Sequence, residues 1–142
     1  YSSNETCITE IQLNLFKTSK FFDVVGHTDN VQDALMKADC LILPSYREGL
    51  SKVLIEAGSC GIPCITTDVP GCKDVIIDNY NGLIIKPRSS EALFVAMQKM
   101  LTFEVSALTL LGENARENII EKFSMEKVNS IYINEIYKLL KK

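Results

Sequence analysis

Short apolar runs alternate with amphipathic stretches along the first 90 residues, and this alternation constrains the fold more than any other sequence feature. Strands of a parallel sheet are buried on both faces and read as continuous apolar runs, whereas the crossover helices between them read as amphipathic segments. The apolar runs cover residues 21–25, 41–43, 63–66 and 83–85. The pattern therefore predicts an α/β domain built on a parallel sheet flanked by helices.

Apolar residues at helical spacing predict the remaining elements. Before residue 80 the predicted helices cover residues 4–18, 30–38 and 50–59, with a short helix around 73–77. Gly61 stands where the third of these helices should stop. Beyond residue 89 the chain changes character, and three successive helices are predicted over residues 90–101, 105–123 and 125–141. Tyr132, Ile136 and Leu140 lie at helical spacing in the last of them and predict a packed C-terminal helix in preference to a groove for a partner.

Composition and charge exclude several function classes. The chain has 142 residues, with 15 Lys+Arg and 18 Asp+Glu, and its formal net charge is −3. Nucleic-acid-binding surfaces carry a basic surplus, so we expect no nucleic-acid partner. No apolar run approaches the ~20 residues of a transmembrane helix, and no signal peptide opens the chain, which favours a cytoplasmic protein. Because the chain begins with Tyr1 rather than Met, we expect it to be a piece of a longer protein.

The cysteines indicate buried thiols rather than a metal site. They are odd in number and include no C-x-x-C pair: Cys7, Cys40, Cys60, Cys64 and Cys72. A zinc site needs a fuller and tighter ligand set than Cys60 and Cys64 with a distant histidine. We therefore expect reduced thiols that behave as small hydrophobic side chains, and no metal site.

The loop after Leu43 carries the most distinctive chemistry. In open parallel sheets, ligands bind beyond the carboxyl ends of the strands. Glu48 lies just before the predicted helix 50–59, Glu56 lies eight residues further on, and unpaired amides at the positive end of the helix lie between them. Gly49 lets a phosphate approach the backbone because it has no Cβ. A ligand with hydroxyl groups at both ends and phosphate between them, a nucleotide sugar, matches this arrangement.

A plainer interpretation stays open for both glutamates. Glu48 near a helix start complements the helix dipole without any ligand, and a glutamate within a helix is usually solvated. Glu56, however, follows Leu54 and Ile55 in a largely apolar helix, and an unpaired buried carboxylate is costly. This position favours a functional role for Glu56.

These residues form part of a longer set of motifs. In chain order the motifs are L-I-L-P-S (41–45), E-G (48–49), E-A (56–57), G-I-P (61–63), T-T-D (66–68), P-G (70–71) and N-G (81–82). Together they resemble the C-terminal domain of family 4 (group 1) glycosyltransferases, whose E-x7-E motif is matched by Glu48 and Glu56. The resemblance covers roughly residues 20–100, and the helical tail is compatible with it. It implies a Rossmann-like parallel sheet flanked by helices, the C-terminal half of a GT-B fold with a helical C-terminal extension.

The resemblance also implies roles for single residues. Glu48 would be the catalytic residue that orients the donor sugar and stabilises the transition state. Glu56 would bind the ribose hydroxyls, and His27 and Thr28 would lie near the base. The amides of Gly49, Leu50 and Ser51 would meet the diphosphate, and Lys52 follows them as a further candidate substrate-binding residue. The family transfers sugar with retention of configuration from nucleotide-linked donors, here UDP- or GDP-linked, and uses no bound metal or other cofactor.

Four departures from the family pattern leave alternatives open. Ser51 and Lys52 stand where proline and an apolar residue are common, so Lys52 is either a cation near the phosphates or a solvated first-turn lysine. Pro70 and Asp74 also differ from the usual residues. His27, the single histidine, could contact the ligand or simply cap its loop.

The resemblance further implies that parts of the enzyme lie outside this chain. The first donor-domain strand and loop, with the Arg and Lys that neutralise the diphosphate, are not found, nor is the N-terminal domain that binds a glycan or lipid-linked acceptor. Membrane contact would occur only through that domain, placing the full-length enzyme in the cytoplasm or peripherally at the inner face of the membrane. We therefore expect this chain to hold the donor site of an enzyme of polysaccharide or glycolipid assembly and to be inactive alone. Two alternatives are a GT-B nucleotide-sugar epimerase, disfavoured by the E-x7-E setting, and a non-catalytic α/β interaction module.

Overall fold

The computed structural model describes residues 8–141, which fall into two compact units, one ending at Val31 and one beginning at Gln32. The first unit contains helix α1 (Glu10–Thr18). The Thr9 hydroxyl accepts from the Gln12 amide at 3.2 Å, and the Gln12 side chain accepts from the Thr9 amide at 2.9 Å. This capping box starts the helix at Glu10. Of the helix predicted over residues 4–18, residues 4–7 lie outside the described residues.

The strand predicted over residues 21–25 is wrong. The Phe22 amide donates to the Ser19 carbonyl at 3.3 Å and closes a turn. The Phe16 and Phe22 rings meet edge to face with centroids 4.9 Å apart, while Phe21 and Val25 are 81% and 76% exposed. A strand is defined by the neighbour that pairs with its backbone, and the described residues 21–25 belong to no ladder. Apolar content alone suggested the strand.

The second unit is built on the predicted parallel sheet. Its three strands are β1 (Leu41–Leu43), β2 (Cys64–Thr67) and β3 (Gly82–Ile85), in the order β1-β2-β3. Leu43 is opposite Thr66, and Thr67 is opposite Ile85. The carboxyl ends of all three strands therefore meet at one edge of the sheet, as the sequence predicted for these strands.

The described residues after α1 form the helices α2 (Val31–Leu35), α3 (Lys52–Ser59), α4 (Ser90–Thr102), α5 (Val105–Phe123) and α6 (Met125–Leu140). Helix α3 begins two residues later than predicted and ends as predicted. Gly61 adopts a φ of +73°, and the Ile62 amide donates to the Ala57 carbonyl at 2.9 Å. These are the marks of a Schellman C-cap, which glycine forms without steric cost.

The short helix predicted around residues 73–77 is also wrong, because this segment consists of turns. The amides of Cys72 and Lys73 both donate to the Val69 carbonyl, each at 3.2 Å. The buried Asn81 holds the end of the segment, since its Oδ1 accepts from the Ile77 amide at 2.7 Å and its Nδ2 donates to the Val75 carbonyl at 3.2 Å. A side chain thus provides hydrogen bonds that a continuous helix would have formed through its backbone.

The core lies between the sheet and the helices that follow it. One cluster of its buried members consists of Ile65, Leu83, Ile85, Ala96, Met100 and Leu111. The C-terminal end of helix α3 lies very close to α5. A Cβ added to Gly112 of α5 would be only 2.1 Å from the carbonyl oxygen of Gly61, which follows the C-cap of α3. This crossing fixes helix α3 against the body of the unit.

Helix α6 buries none of its residues. Tyr132, Ile136 and Leu140 are 66%, 54% and 76% exposed, so the packed helix predicted from their spacing is not found within residues 8–141. No single helix in this part of the chain is long and apolar enough to cross a membrane. Only the bent pair formed by residues 90–102 and 105–140, at an angle of 113°, reaches that length and apolarity together.

The described cysteines are free thiols, as expected. Cys64 and Cys72 are buried, and Cys40 and Cys60 are half-buried. Burial raises the pKa of Cys40 to about 11. Burial, with a smaller contribution from Cys40, raises the pKa of Cys64 further. Cys7 lies outside the described residues.

Candidate functional site

The loop that connects β1 to α3 is fixed by hydrogen bonds from strand β2. The Thr66 hydroxyl donates to the Leu43 carbonyl at 2.9 Å, and the buried Thr67 hydroxyl donates to the Ser45 carbonyl. The Ser45 hydroxyl in turn donates to Glu48 Oε1 at 2.6 Å. The half-buried Glu48 carboxylate is therefore held in place from the end of β2.

Sequence reasoning missed the role of Ser45, although a signal was present. The S-x-x-E spacing of Ser45 and Glu48 is that of a capping box, in which a serine and a glutamate three residues apart interact. Here the pair lies before helix α3 rather than at its cap. The serine binds the carboxylate directly.

Gly71 supports the same loop from the other side. Its φ is +82°, and an added Cβ would lie 1.6 Å from the Gly49 carbonyl oxygen. Its amide donates to Asp74 Oδ2 at 2.9 Å, and its carbonyl accepts from the Ser51 amide at 3.4 Å. Only glycine permits this approach, which brings the turn at residues 70–71 directly onto the loop carrying Glu48.

The start of helix α3 leaves hydrogen-bond donors available. Within residues 8–141, the amides of Gly49 and Leu50 donate to no other group, and Ser51 at the N-cap makes no side-chain cap bond. The Ser51 amide, by contrast, is already directed at Gly71. Free amides at this end of a helix coincide with the positive end of its dipole and favour an anion.

Glu56 lies one turn into helix α3 and is paired. Its Oε1 is 3.7 Å from Lys52 Nζ, and its side chain is 35% exposed while that of Lys52 is 89% exposed. The expectation that Glu56 is an unpaired buried carboxylate is therefore wrong, since it lies on a half-exposed face beside a lysine four residues earlier. Both interpretations of Lys52 remain compatible with this geometry.

His27 and Thr28 form a loop within the first unit. His27 Nε2 is 3.4 Å from Asp29 Oδ1, with the histidine side chain 90% exposed. The Thr28 hydroxyl accepts from the Asn30 amide at 3.1 Å. These contacts are local to the first unit, and a role for His27 and Thr28 at the base of a nucleotide stays a prediction.

The site therefore offers acceptors and donors but no described metal-binding cluster. Two carboxylates, Glu48 and Glu56, lie on either side of the free amides in the sequence. Among residues 8–141, no group of three or more His, Cys, Asp or Glu side chains could hold a metal ion. Such a surface suits a ligand with hydroxyl groups and an anionic centre.

Comparison with known proteins identifies the family. The family model described as glycosyl transferases group 1 matches residues 11–120, more than half of the chain. The chain belongs to this family. The N-acetyl-alpha-D-glucosaminyl L-malate synthase of Bacillus anthracis is 33% identical over 117 residues, which cover 82% of this chain and 30% of the synthase.

Solved structures of glycosyltransferases share the fold. The sucrose-phosphate synthase of Thermosynechococcus elongatus superposes with a TM-score of 0.80 at 28% identity, covering 92% of this chain and 33% of that one. A variant of S. aureus TarM in complex with fondaparinux, alpha-GlcNAc-glycerol and UDP gives a TM-score of 0.72 at 29% identity, covering 80% and 23%. The parallel sheet with its helices is thus the C-terminal-domain architecture of GT-B glycosyltransferases, and the chain spans about a third or less of these relatives.

Proposed function

We propose that this chain binds the nucleotide-sugar donor of a retaining glycosyltransferase. The enzyme would transfer the sugar to a glycan or lipid-linked acceptor during assembly of cell-surface polysaccharide or glycolipid, on the cytoplasmic side of the membrane. The observation that carries the proposal is the Glu48 carboxylate fixed by Ser45 beside the free amides of Gly49 and Leu50. The membership of the chain in the group 1 family supports the reaction class.

Each part of this site has a role in the proposal. The amides of Gly49 and Leu50, at the positive end of α3, bind the diphosphate, and Ser51 contributes only by exchanging its 3.4 Å bond to Gly71. Glu48 accepts hydrogen bonds from the donor sugar and stabilises positive charge that develops at the sugar in the transition state. No metal or other cofactor takes part.

Glu56 and Lys52 act as a pair at the nucleotide. Glu56 accepts hydrogen bonds from the ribose hydroxyls, because a carboxylate accepts from two neighbouring hydroxyls at once. The Lys52 ammonium, 89% exposed and 3.7 Å from Glu56, turns from the carboxylate to a phosphate when the nucleotide binds. His27 and Thr28 contact the base. TarM was solved with UDP, which makes a UDP-linked donor the first to test beside a GDP-linked one.

Titration with UDP, GDP and ADP, followed by ligand-observed NMR, tests the donor site. We expect one nucleotide to bind with a Kd on the order of millimolar, about −4 kcal/mol, because the diphosphate meets few charges in this chain. The Glu56→Ala variant should lose this binding, and Glu113→Ala, which removes an exposed carboxylate of α5, should keep it. Binding that Glu56→Ala leaves unchanged would contradict the proposal and favour a non-catalytic module.

We propose that sugar transfer needs residues beyond these 142. The chain spans 30% of the L-malate synthase and 33% of the sucrose-phosphate synthase, and the E-x7-E loop supplies only the donor side of the reaction. Incubation of the chain with UDP- or GDP-linked sugars and glycan acceptors should release no nucleoside diphosphate above background. Sustained transfer by the purified chain would overturn this proposal while leaving donor binding intact.

A further inference from the structure

A cavity lies at the carboxyl edge of the sheet, beside the loop that carries Glu48. It has a volume of about 330 Å³, and residues at the carboxyl ends of all three strands line it: Pro44 directly after β1, Thr67 at the end of β2 and Ile85 at the end of β3. None of Glu48, Gly49, Leu50 or Glu56 lines this cavity. Its volume lies at the lower end of the ~300–1,000 Å³ typical of small-molecule sites.

The charge around this cavity is positive. Lys86 and Arg88 line it, and neither has an ion-pair partner in the described part of the chain. No carboxylate lines it: Glu91 faces a neighbouring cavity, and Asp68 is paired with Lys73 at 3.2 Å. Two unpaired cations facing one concave surface are typical of an anion site.

The start of helix α4 adds hydrogen-bond donors to the same cavity. Ser89, the N-cap, and Ser90, the first helical residue, both line it. The Ser89 hydroxyl accepts from the Ala92 amide at 3.1 Å, which leaves its own proton free to be donated outward. The positive end of the 13-residue helix therefore borders the same cavity as the two cations.

The rest of the cavity lining is apolar and aromatic. Pro44, Ile85 and Leu93 contribute carbon surface. The Arg88 guanidinium lies 5.5 Å from the centroid of the Tyr46 ring, a cation–π contact that orients its remaining donors. A ligand for this cavity therefore has an anionic group and a carbon part attached to it.

We propose that this cavity binds a phosphate ester distinct from the donor nucleotide. A phosphate monoester carries close to two negative charges at neutral pH, which two cations and a helix start complement better than the single charge of a carboxylate. The phosphate lies against Lys86, Arg88 and the start of α4, and the carbon part lies against Pro44 and Leu93. This site goes beyond the proposed donor site and does not depend on it.

Amide chemical shifts of the ¹⁵N-labelled 142-residue chain test the proposal with phenyl phosphate as the probe. We expect the probe to shift the amides of residues 86–93 in a saturable way. The double variant Lys86→Gln with Arg88→Gln should weaken the Kd at least about tenfold, or about 1.4 kcal/mol. The matched control, Lys127→Gln with Lys138→Gln on helix α6, removes two exposed cations elsewhere and should leave the Kd unchanged.

Other outcomes of these titrations distinguish this cavity from other phosphate-binding sites. Shifts confined to residues 49–56 would assign the phosphate to the start of α3 and overturn the proposal, as would the absence of any saturable shift. If inorganic phosphate binds with the same affinity as phenyl phosphate, the proposal of a phosphate ester is wrong, and the cavity binds the free ion. A parallel UDP titration keeps the two proposals distinct: UDP that fails to shift residues 49–56 counts against the donor site, whereas phenyl phosphate at residues 86–93 supports this one regardless.

Discussion

At the residue scale, the close approach of Gly71 to the Gly49 carbonyl decides where the carboxylate loop lies. Replacing Gly71 by any other residue would carry two separate energetic costs. The residue would have to adopt a φ of +82°, and its Cβ would lie 1.6 Å from the Gly49 carbonyl oxygen. The first is a local backbone cost, and the second forces the turn away from the loop. Gly61 has a similar φ of +73°, but an added Cβ there would find only ordinary contact with Gly112, at 3.7 Å.

Gly71→Ala should therefore cost far more than Gly61→Ala. We expect Gly71→Ala to lower the free energy of unfolding by at least about 2 kcal/mol and to abolish nucleotide binding. Gly61→Ala should cost about 1 kcal/mol, the penalty of the left-handed conformation alone, and should retain binding. Urea denaturation and the UDP titration measure both effects. Equal losses in the two variants would show that overlap with the loop adds nothing.

At the scale of elements, the close approach of α3 and α5 requires glycine at position 112, where helix propensity alone would favour alanine. Glycine within a helix is destabilising relative to alanine by about 1 kcal/mol, so propensity alone predicts that Gly112→Ala stabilises the protein. An added Cβ at Gly112 would instead lie 2.1 Å from the Gly61 carbonyl oxygen, which belongs to rigid backbone. We expect Gly112→Ala to lower the free energy of unfolding by about 2 kcal/mol, measured in urea.

Gly58→Ala in helix α3 is the matched comparison for this crossing. Its added Cβ would lie 2.7 Å from the Ile119 side chain, which can move, rather than from a carbonyl. The loss should therefore be clearly smaller than for Gly112→Ala. A stabilising Gly112→Ala would contradict the close crossing of the two helices.

The thiols of Cys40, directly before β1, and Cys64, in β2, make the free energy of unfolding depend on pH. Burial raises the pKa of Cys40 to about 11 and raises that of Cys64 further, so the folded state keeps both thiols protonated longer than the unfolded chain does. Above pH 9 the unfolded state releases protons first, and stability falls as the pH rises, by at most about 1.4 kcal/mol per pH unit for each thiol. Urea denaturation between pH 8 and 10.5 should show this fall, and Cys64→Ala should flatten it. A slope unchanged in Cys64→Ala would contradict it.

The same elements show what the sequence can predict. The three strands and the C-cap at Gly61 were predicted correctly, because each depends on a local pattern: an apolar run or a glycine after a helix. Residues 21–25 have the same apolar pattern without a pairing neighbour, so the strand predicted there is wrong. Whether a strand forms depends on residues far away in sequence.

The candidate site, too, could be predicted from the sequence only in part. The apolar pattern correctly predicted a loop followed by a helix across Glu48 and Glu56, but the partner of each carboxylate came only from the structure. Ser45 binds Glu48, and Lys52 pairs with Glu56 at 3.7 Å. The contact of Gly71 with Gly49 joins residues 22 positions apart, and no local pattern specifies it.

At the scale of the whole molecule, the apolar face of α6 is exposed, and this helix buries none of its residues. Ile133, Ile136, Tyr137 and Leu140 are between 51% and 76% exposed. Contiguous exposed apolar surface promotes association in water. We therefore expect the chain to self-associate with increasing concentration through this face.

Ile136→Glu with Leu140→Glu tests that expectation by sedimentation velocity. The double variant should remain monomeric at concentrations where the parent associates, and its Tm should change little, because both side chains already lie largely in solvent. Ser130→Glu with Asn134→Glu adds the same two charges to the same helix outside the apolar face, so it should associate like the parent. If this control variant disperses the chain equally well, net charge rather than the apolar face controls association. If the first variant lowers the Tm markedly, helix α6 packs within the chain, because only buried side chains contribute that much to stability.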